Sequence, residues 1–215
     1  MAEYTLYAFA QSGNAYKPAL MLNLAGADWA VRFVDYFNGE TRTPAYRTEV
    51  NEMGEVPVLE HEGRKLAQSA VILDYLAGTL GRFGWGSEDE RREIMRWLFW
   101  DNHKLTSYTA TYRFLRTFMR DKTDPAVLDF FKTRMTTALG ILDGRLGRQQ
   151  FIATPGRPTI ADLSIAGYLF FDDEIGLDWA NYPKVKAWRD RIQAMPGWKH
   201  PYDLLPGHPL VAKSA

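Results

Sequence analysis

A change of pattern near residue 80 constrains this chain more than any other feature. Up to Leu80 strand and helix signals alternate, and from Glu88 onward apolar residues recur only at helical spacing. Tyr4 to Phe9 is aromatic-rich and reads as a strand that ends at Gln11-Ser12-Gly13-Asn14. Ala15 to Ala25 reads as a helix carrying Ala19, Leu20, Leu22 and Leu24, with Gly26 as its stop. Val31 to Tyr36 is a second strand, and a helical turn or two near Pro44 to Val50 precedes Gly54. Val56 to Glu60 and Lys65 to Ala67 form a hairpin across Glu62-Gly63. Ser69 to Leu80 closes the unit as a helix, giving the order βαβ, connection, ββα.

Beyond a glycine-punctuated loop the strand signals stop. Ile94, Trp97, Leu98, Leu105, Tyr108, Tyr112, Leu115 and Met119 mark one long helix from Glu88 to about Met119. Val127, Leu128, Phe131, Met135, Leu139, Leu142 and Leu146 mark a second. Thr159 reads as the N-cap of a third helix with Asp162 answering three residues later, and Pro183 opens a fourth. The expected architecture is a small α/β domain over residues 1–80 followed by an all-helical bundle domain over residues 88–215.

Composition narrows the chemistry. The 215 residues carry 26 basic and 26 acidic side chains and no cysteine. Nucleic-acid binding depends on clustered Lys and Arg, so a balanced chain with interspersed charges is not expected to bind it. Lack of cysteine excludes a disulfide framework, a thiolate metal site and a protein thiol nucleophile. His61, His200 and His208 lack metal-ligand spacing, so no metal is assigned. Met1-Ala2-Glu3-Tyr4 shows no signal peptide and no apolar run reaches the length of a membrane span, so a cytoplasmic location without membrane attachment is expected.

Three junctions in the first domain attract attention. Ser12-Gly13-Asn14 sits at a strand end before a helix, where unpaired N–H groups and about half a positive charge favour an anion. The competing reading is a plain N-cap, which is the more common use of Ser or Asn there. Val56-Pro57 opens a strand. A cis bond would leave the Val56 main chain free to pair with an extended peptide, and an ordinary trans proline is the alternative. Gln68-Ser69 is a second strand-to-helix junction, with Ser69 expected as the cap and Gln68 offering a neutral amide. Together they suit a small peptide bearing a thiolate and a carboxylate.

These residues resemble the glutathione transferases over nearly the whole chain. Tyr7 to Gly26 is similar to that family's first strand and helix, and Asn51 to Leu59 to its Asn-Pro-x-Gly-x-Val-Pro-x-Leu signature. Ala67-Gln68-Ser69-Ala70-Val71-Ile72, and Arg157 to Asp162 in the helical half, are similar to two more of its motifs. The resemblance implies a thioredoxin-like first domain, glutathione as co-substrate, a homodimer and a role in detoxification. It implies that Val56, before a cis Pro57, pairs with the cysteinyl part of glutathione, and that Gln68 and Ser69 hold the γ-glutamyl end. Ser12 with Asn14 falls where the family faces the sulfur, similar to the Ser/Thr-x-Asn arrangement of some bacterial classes. Gly13 occupies the position other serine classes fill with their serine, and Tyr7 is the alternative donor. Glu52 departs from the family's proline.

A free thiol with a pKa of about 8.5 is only a few per cent thiolate at pH 7, so full ionisation raises the reactive fraction about thirtyfold. Larger acceleration requires an electrophile held beside the sulfur. The long helix carries Trp100, His103, Lys104, Ser107, Thr111 and Phe114 opposite its core-facing side. Trp100 and His103, with Phe9 on the loop side, are the candidates for an electrophile pocket, and packing at a dimer interface is the competing use of this face. Arg42, Arg47 and Lys17 are expected to be solvated surface cations, with a contact to the glycine carboxylate of glutathione as the alternative use of each. A transferase acting on a small hydrophobic electrophile is the leading expectation. A glutathione-dependent disulfide or peroxide reductase and a non-catalytic interaction module are the alternatives.

Overall fold

The computed structural model describes residues 2–210. The chain divides into two compact units, one made of the residues up to Arg82 together with the chain from Pro196 onward, the other of Phe83–Met195.

The first unit is built on a four-stranded sheet in the order β2-β1-β3-β4. Strand β1 (Tyr4–Ala8) pairs in parallel with β2 (Trp29–Phe33) and antiparallel with β3 (Val58–His61), which pairs antiparallel with β4 (Arg64–Ala67). A parallel neighbour requires a crossover, supplied by helix α1 (Gly13–Ala25). Alternation buries Tyr4, Leu6 and Ala8 on one face of β1. Helix α1 lies between α3 (Ser69–Leu80) and the short α10 (Pro201–Leu204), and is buried on nearly every side. This is why Ala15, Ala19 and Leu20 to Leu22 show no clean amphipathic period. A short α2 (Pro44–Glu49), capped by Thr43, precedes the loop into β3.

The second strand differs from its expected span, Val31 to Tyr36. Its bounds follow the ladder with β1, where Tyr4 faces Trp29 and Ala8 faces Phe33, rather than the local run of β-formers. The C-terminal boundary differs too. The helical domain was expected to run over 88–215, yet the chain from Pro196 belongs with the sheet unit. Tyr16 Oη donates to the Lys199 carbonyl at 2.8 Å, Ala10 N–H to the Pro206 carbonyl at 2.8 Å, and Gln11 Nε2 to the Gly207 carbonyl at 2.7 Å. Residues 1 and 211–215 of the expected domains lie outside the described residues.

The second unit is helical. Helix α4 (Glu88–Trp100) starts at Ser87, whose side chain accepts from the Glu90 N–H, and Glu88, Asp89 and Glu90 fill its first turn, as a helix N-terminus favours. The expected single helix to Met119 is helical throughout, but Asp101–Leu105 is a π-helical stretch joining α4 to α5 (Thr106–Phe118). Its physical cause is a buried carboxylate. The Thr106 N–H reaches back five residues to the Asp101 carbonyl, and Asp101 accepts from Thr106 Oγ1 at 2.8 Å and from Ser164 Oγ at 2.6 Å.

Helix α6 (Pro125–Leu146) is capped by Asp124, and α8 (Asp172–Ile175) and α9 (Pro183–Gln193) complete the unit with α7 (Ile160–Ala166). The expected capping box opens α7. Thr159 caps it and Asp162 returns the bond. Asp162 is fully buried and accepts from the N–H groups of Thr159 (2.8 Å) and Ile152 (2.9 Å), from Thr159 Oγ1 (3.1 Å) and from Trp188 Nε1 (2.9 Å). Burial pushes its carboxyl above the ordinary range, and these donors oppose that push. No helix among the described residues is long and apolar enough to cross a membrane.

Candidate functional site

The ladder register gathers the three junctions at one end of the sheet. Tyr7, near the C-terminal end of β1, faces Val58, the first residue of β3, and Val58 faces Ala67, the last residue of β4. Ser12 and Asn14 after β1, Val56-Pro57 before β3, and Gln68-Ser69 after β4 therefore leave the sheet at the same end.

Ser12 is the N-cap of α1, and its Oγ accepts from the Ala15 N–H at 3.1 Å. The capping role and the anion-donor role do not compete. A hydroxyl that accepts from a helix N–H keeps its own proton free to donate. Ser12 is 7% exposed, so that proton points from a largely desolvated position. Asn14, in the first turn, carries a buried Oδ1 with no hydrogen-bond partner. Pro18, inside α1, has no N–H to give to the Asn14 carbonyl four residues earlier. A polar group left in this state marks a place where a ligand donor fits.

The Val56-Pro57 bond is cis. Val56 lies outside the ladder and has no backbone hydrogen bond among the described residues. The preceding loop is fixed from several sides. Gly54 N–H donates to the Asn51 carbonyl at 2.9 Å and Met53 N–H to Asn51 Oδ1 at 3.1 Å. Tyr46 Oη and Asn51 Nδ2 each reach the Glu55 carbonyl at 3.0 Å. Burial pushes the Tyr46 hydroxyl up to about 12, so it remains a donor at physiological pH.

At the third junction the structure corrects one expectation. Gln68, not Ser69, occupies the N-cap position of α3, with no side-chain cap bond, and Ser69 is the first helical residue. Gln68 has φ 69° and ψ 115°, a conformation that L side chains adopt at a cost of about 1–3 kcal/mol. Its Nε2 donates to Glu55 Oε2 at 2.9 Å. Ser69 is 6% exposed, and its hydroxyl has no hydrogen bond among the described residues. An uncapped helix start beside a buried hydroxyl is suited to a carboxylate.

Other expected residues fall elsewhere. Tyr7 lies on the opposite face of β1 from Leu6 and Ala8, and its Oη donates to Glu60 Oε2 at 2.8 Å with Arg32 over its ring. Burial, then the bond to Glu60, pushes that hydroxyl up, so its proton is committed to the sheet and not to the helix junction. Lys17 is fully buried, against the expectation of a solvated cation, whereas Arg42 and Arg47 are exposed. Phe9 is buried and stacks on Tyr36 with centroids 4.8 Å apart.

In the helical unit Trp100 lines a cavity of about 620 Å³ with Lys104 and Tyr108 and with Phe130, Arg134 and Ile141 of α6. The π stretch rephases the helix, so the face read from a uniform 100° period splits. Residues 100, 104 and 108 turn to the cavity, while His103, Ser107 and Phe114 are exposed. His103 does not line this cavity. No group of three His, Asp or Glu side chains placed to hold a metal ion occurs among the described residues.

The two halves of the chain have counterparts among known proteins. Residues 2–78 match the family model of the glutathione S-transferase N-terminal domain and residues 125–191 that of its C-terminal domain. The chain is 29% identical to glutathione S-transferase F14 of Arabidopsis thaliana over 82% of this chain and 74% of that protein. It is 25% identical to the disulfide-bond oxidoreductase YfcG of Escherichia coli over 87% of this chain and 89% of that one. A solved glutathione S-transferase of Pseudomonas fluorescens superposes with a TM-score of 0.86 at 30% identity, covering 94% of this chain and all of the other.

Proposed function

This chain is an enzyme of the glutathione S-transferase family, and from that premise we propose that it activates the glutathione thiol and adds the sulfur to a small hydrophobic electrophile. The observation that carries the reading is the convergence, at one end of the sheet, of groups whose bonding capacity is left over within the chain. These are the Ser12 hydroxyl proton, Asn14 Oδ1, the Val56 main chain and the Ser69 hydroxyl.

Ser12 donates to the thiolate sulfur and, with the N-terminus of α1, lowers the thiol pKa, while Asn14 assists. Val56 pairs through its main chain with the cysteinyl residue ahead of Pro57. Gln68 and Ser69 take the γ-glutamyl end at the start of α3. The thiolate attacks an electrophilic carbon, the carbon–sulfur bond forms, and the leaving group departs with the electron pair of the bond it breaks. Trp100, with Lys104 and Tyr108 beside it in the cavity of the helical unit, is the proposed wall for that electrophile, and the exposed His103 and the buried Phe9 are not. The enzyme works in the cytoplasm as a homodimer, and the exposed Phe99, Phe114 and Phe130 on the helices are the apolar surface such an assembly would cover. Neither a membrane nor nucleic acid is a proposed partner.

The second reading, a glutathione-dependent disulfide reductase, is favoured by the Escherichia coli relative. A cysteine-free chain would run it through bound glutathione thiols alone.

The test is glutathione-dependent turnover of an activated aryl halide beside that of a small disulfide, for the parent enzyme and Ser12→Ala. The transferase reading predicts aryl halide turnover saturable in glutathione. It also predicts a fall in kcat of about ten- to thirtyfold at pH 7 for Ser12→Ala, shrinking toward pH 9 where free thiol ionises unaided. Turnover unchanged by the substitution overturns the role of Ser12, and turnover of the disulfide alone assigns the enzyme to the reductases.

A further inference from the structure

The γ-glutamyl end of glutathione is a zwitterion, and a site for it has to satisfy an ammonium as well as a carboxylate. The groups at the start of α3 serve only one of these charges. The uncapped helix N-terminus and the unbonded Ser69 hydroxyl favour an anion, and the Gln68 amide, whose Nε2 donates to Glu55 Oε2 and Met53 Sδ, leaves only a neutral oxygen, so none supplies negative charge. An ammonium set against a helix N-terminus with no nearby carboxylate would be repelled.

The carboxylate that touches this junction is Glu55. Its Oε2 lies 2.9 Å from Gln68 Nε2. Glu55 has no ion-pair partner among the described residues, and its side chain is exposed, so its second oxygen is open to a ligand. Its main chain is fixed by Tyr46 Oη and Asn51 Nδ2 on its carbonyl, directly before the Val56 main chain. Gln68 is held facing it by a backbone conformation that costs energy, which ties the neutral amide and the carboxylate into one unit.

We propose that Glu55 is the residue that recognises the α-ammonium of the γ-glutamyl group, with Gln68 holding its carboxylate in place, so that Glu55 makes the site selective for peptides with a free γ-glutamyl amine. This rests on the glutathione reading of the site and adds the charge that the recognised Gln-Ser junction lacks.

The experiment is calorimetric titration of the parent enzyme, Glu55→Gln and Ser69→Ala with glutathione and with its des-amino analogue, glutaryl-cysteinyl-glycine. The expected result is a preference of the parent for glutathione over the analogue of about five- to tenfold, the scale of one partly solvated charge-assisted contact. Glu55→Gln weakens glutathione by that factor, leaves the analogue within about twofold, and so brings the preference to about one. Ser69→Ala weakens both ligands alike and keeps the preference. Equal loss of both ligands in Glu55→Gln, or an unchanged preference, overturns the role of Glu55 while glutathione binding by the parent stands. Failure of the parent to bind either ligand removes the glutathione reading and this inference with it.

Discussion

Gly54 sits where the chain turns into the candidate site, and replacing it with alanine gives a result whose size follows from geometry. Its φ is +67°, and a Cβ there would lie 2.8 Å from the Thr41 carbonyl oxygen and 3.1 Å from Arg47 Nη2. Gly63, in the β3–β4 turn, has φ +72° with nothing within 4 Å of the same added atom. Both substitutions force an L side chain into the left-handed region at about 1–2 kcal/mol, offset by about 0.4–1 kcal/mol from a less flexible unfolded chain. A net loss of about 1 kcal/mol is therefore expected at Gly63. At Gly54 the arginine end can swing away, but Thr41 is 1% exposed and its carbonyl belongs to packed backbone, which adds about 1–3 kcal/mol of overpacking. Thermal unfolding followed by circular dichroism should lower Tm by about 2–4 °C for Gly63→Ala and about 4–16 °C for Gly54→Ala. The shift that relieves the contact moves Glu55 and Val56, so glutathione affinity should fall about tenfold or more in Gly54→Ala and stay unchanged in Gly63→Ala. Equal Tm losses with glutathione affinity intact in both variants would refute the reasoning.

Two further outcomes follow from the helical unit. Asp162→Ala removes the acceptor for two buried backbone N–H groups, the Trp188 indole and the Thr159 hydroxyl, at about 1–3 kcal/mol for each donor left unsatisfied. It should lower Tm by more than 10 °C or abolish soluble expression, and a loss under about 1 kcal/mol in denaturant titration would contradict the role of that hub. Glu93 accepts from Arg96 Nε at 2.8 Å, from Trp97 Nε1 at 2.9 Å and from Arg145 Nη2 at 2.9 Å. The Arg96 bonds first, with Trp97 and the two guanidinium charges, hold its carboxyl below the ordinary range. A depressed carboxyl stabilises the fold above the unfolded value near pH 4.3, and that contribution is lost as pH falls through the lower folded value. The Tm of the parent should exceed that of Glu93→Gln by a constant margin from pH 7 to about pH 5 and converge with it in stronger acid. A margin that grows in acid would reverse the assigned sign.

The sequence carried the order of elements because hydrophobic period switches from mixed to purely helical, and that period depends only on which face is buried. It carried the site junctions because turn and cap residues leave local marks, as at Ser12, Pro57 and Thr159. What stayed hidden depends on partners distant along the chain. The π stretch rests on Asp101 meeting Ser164, and it rotated the helix face on which His103 had been placed beside Trp100. The return of the chain from Pro196 onto α1 runs through main-chain carbonyls of Lys199, Pro206 and Gly207, which have no side-chain signature. Ser69 has the residue type of a cap, yet the unusual φ of Gln68 moves the cap one residue earlier. Glu55 sits inside the Asn51 to Leu59 motif, but its bond with Gln68, thirteen residues away, forms only in the folded unit and leaves no local mark in the sequence.

The central claim is that the site binds glutathione and ionises its thiol. The chain has no cysteine, so a thiolate absorption band appearing on titration with glutathione near pH 7 belongs to the ligand, once an S-methylated analogue has removed any tyrosinate contribution. The account predicts a saturable thiolate band with glutathione, none with the analogue, and a weaker band in Ser12→Ala. Saturable binding of glutathione with no thiolate band would contradict it.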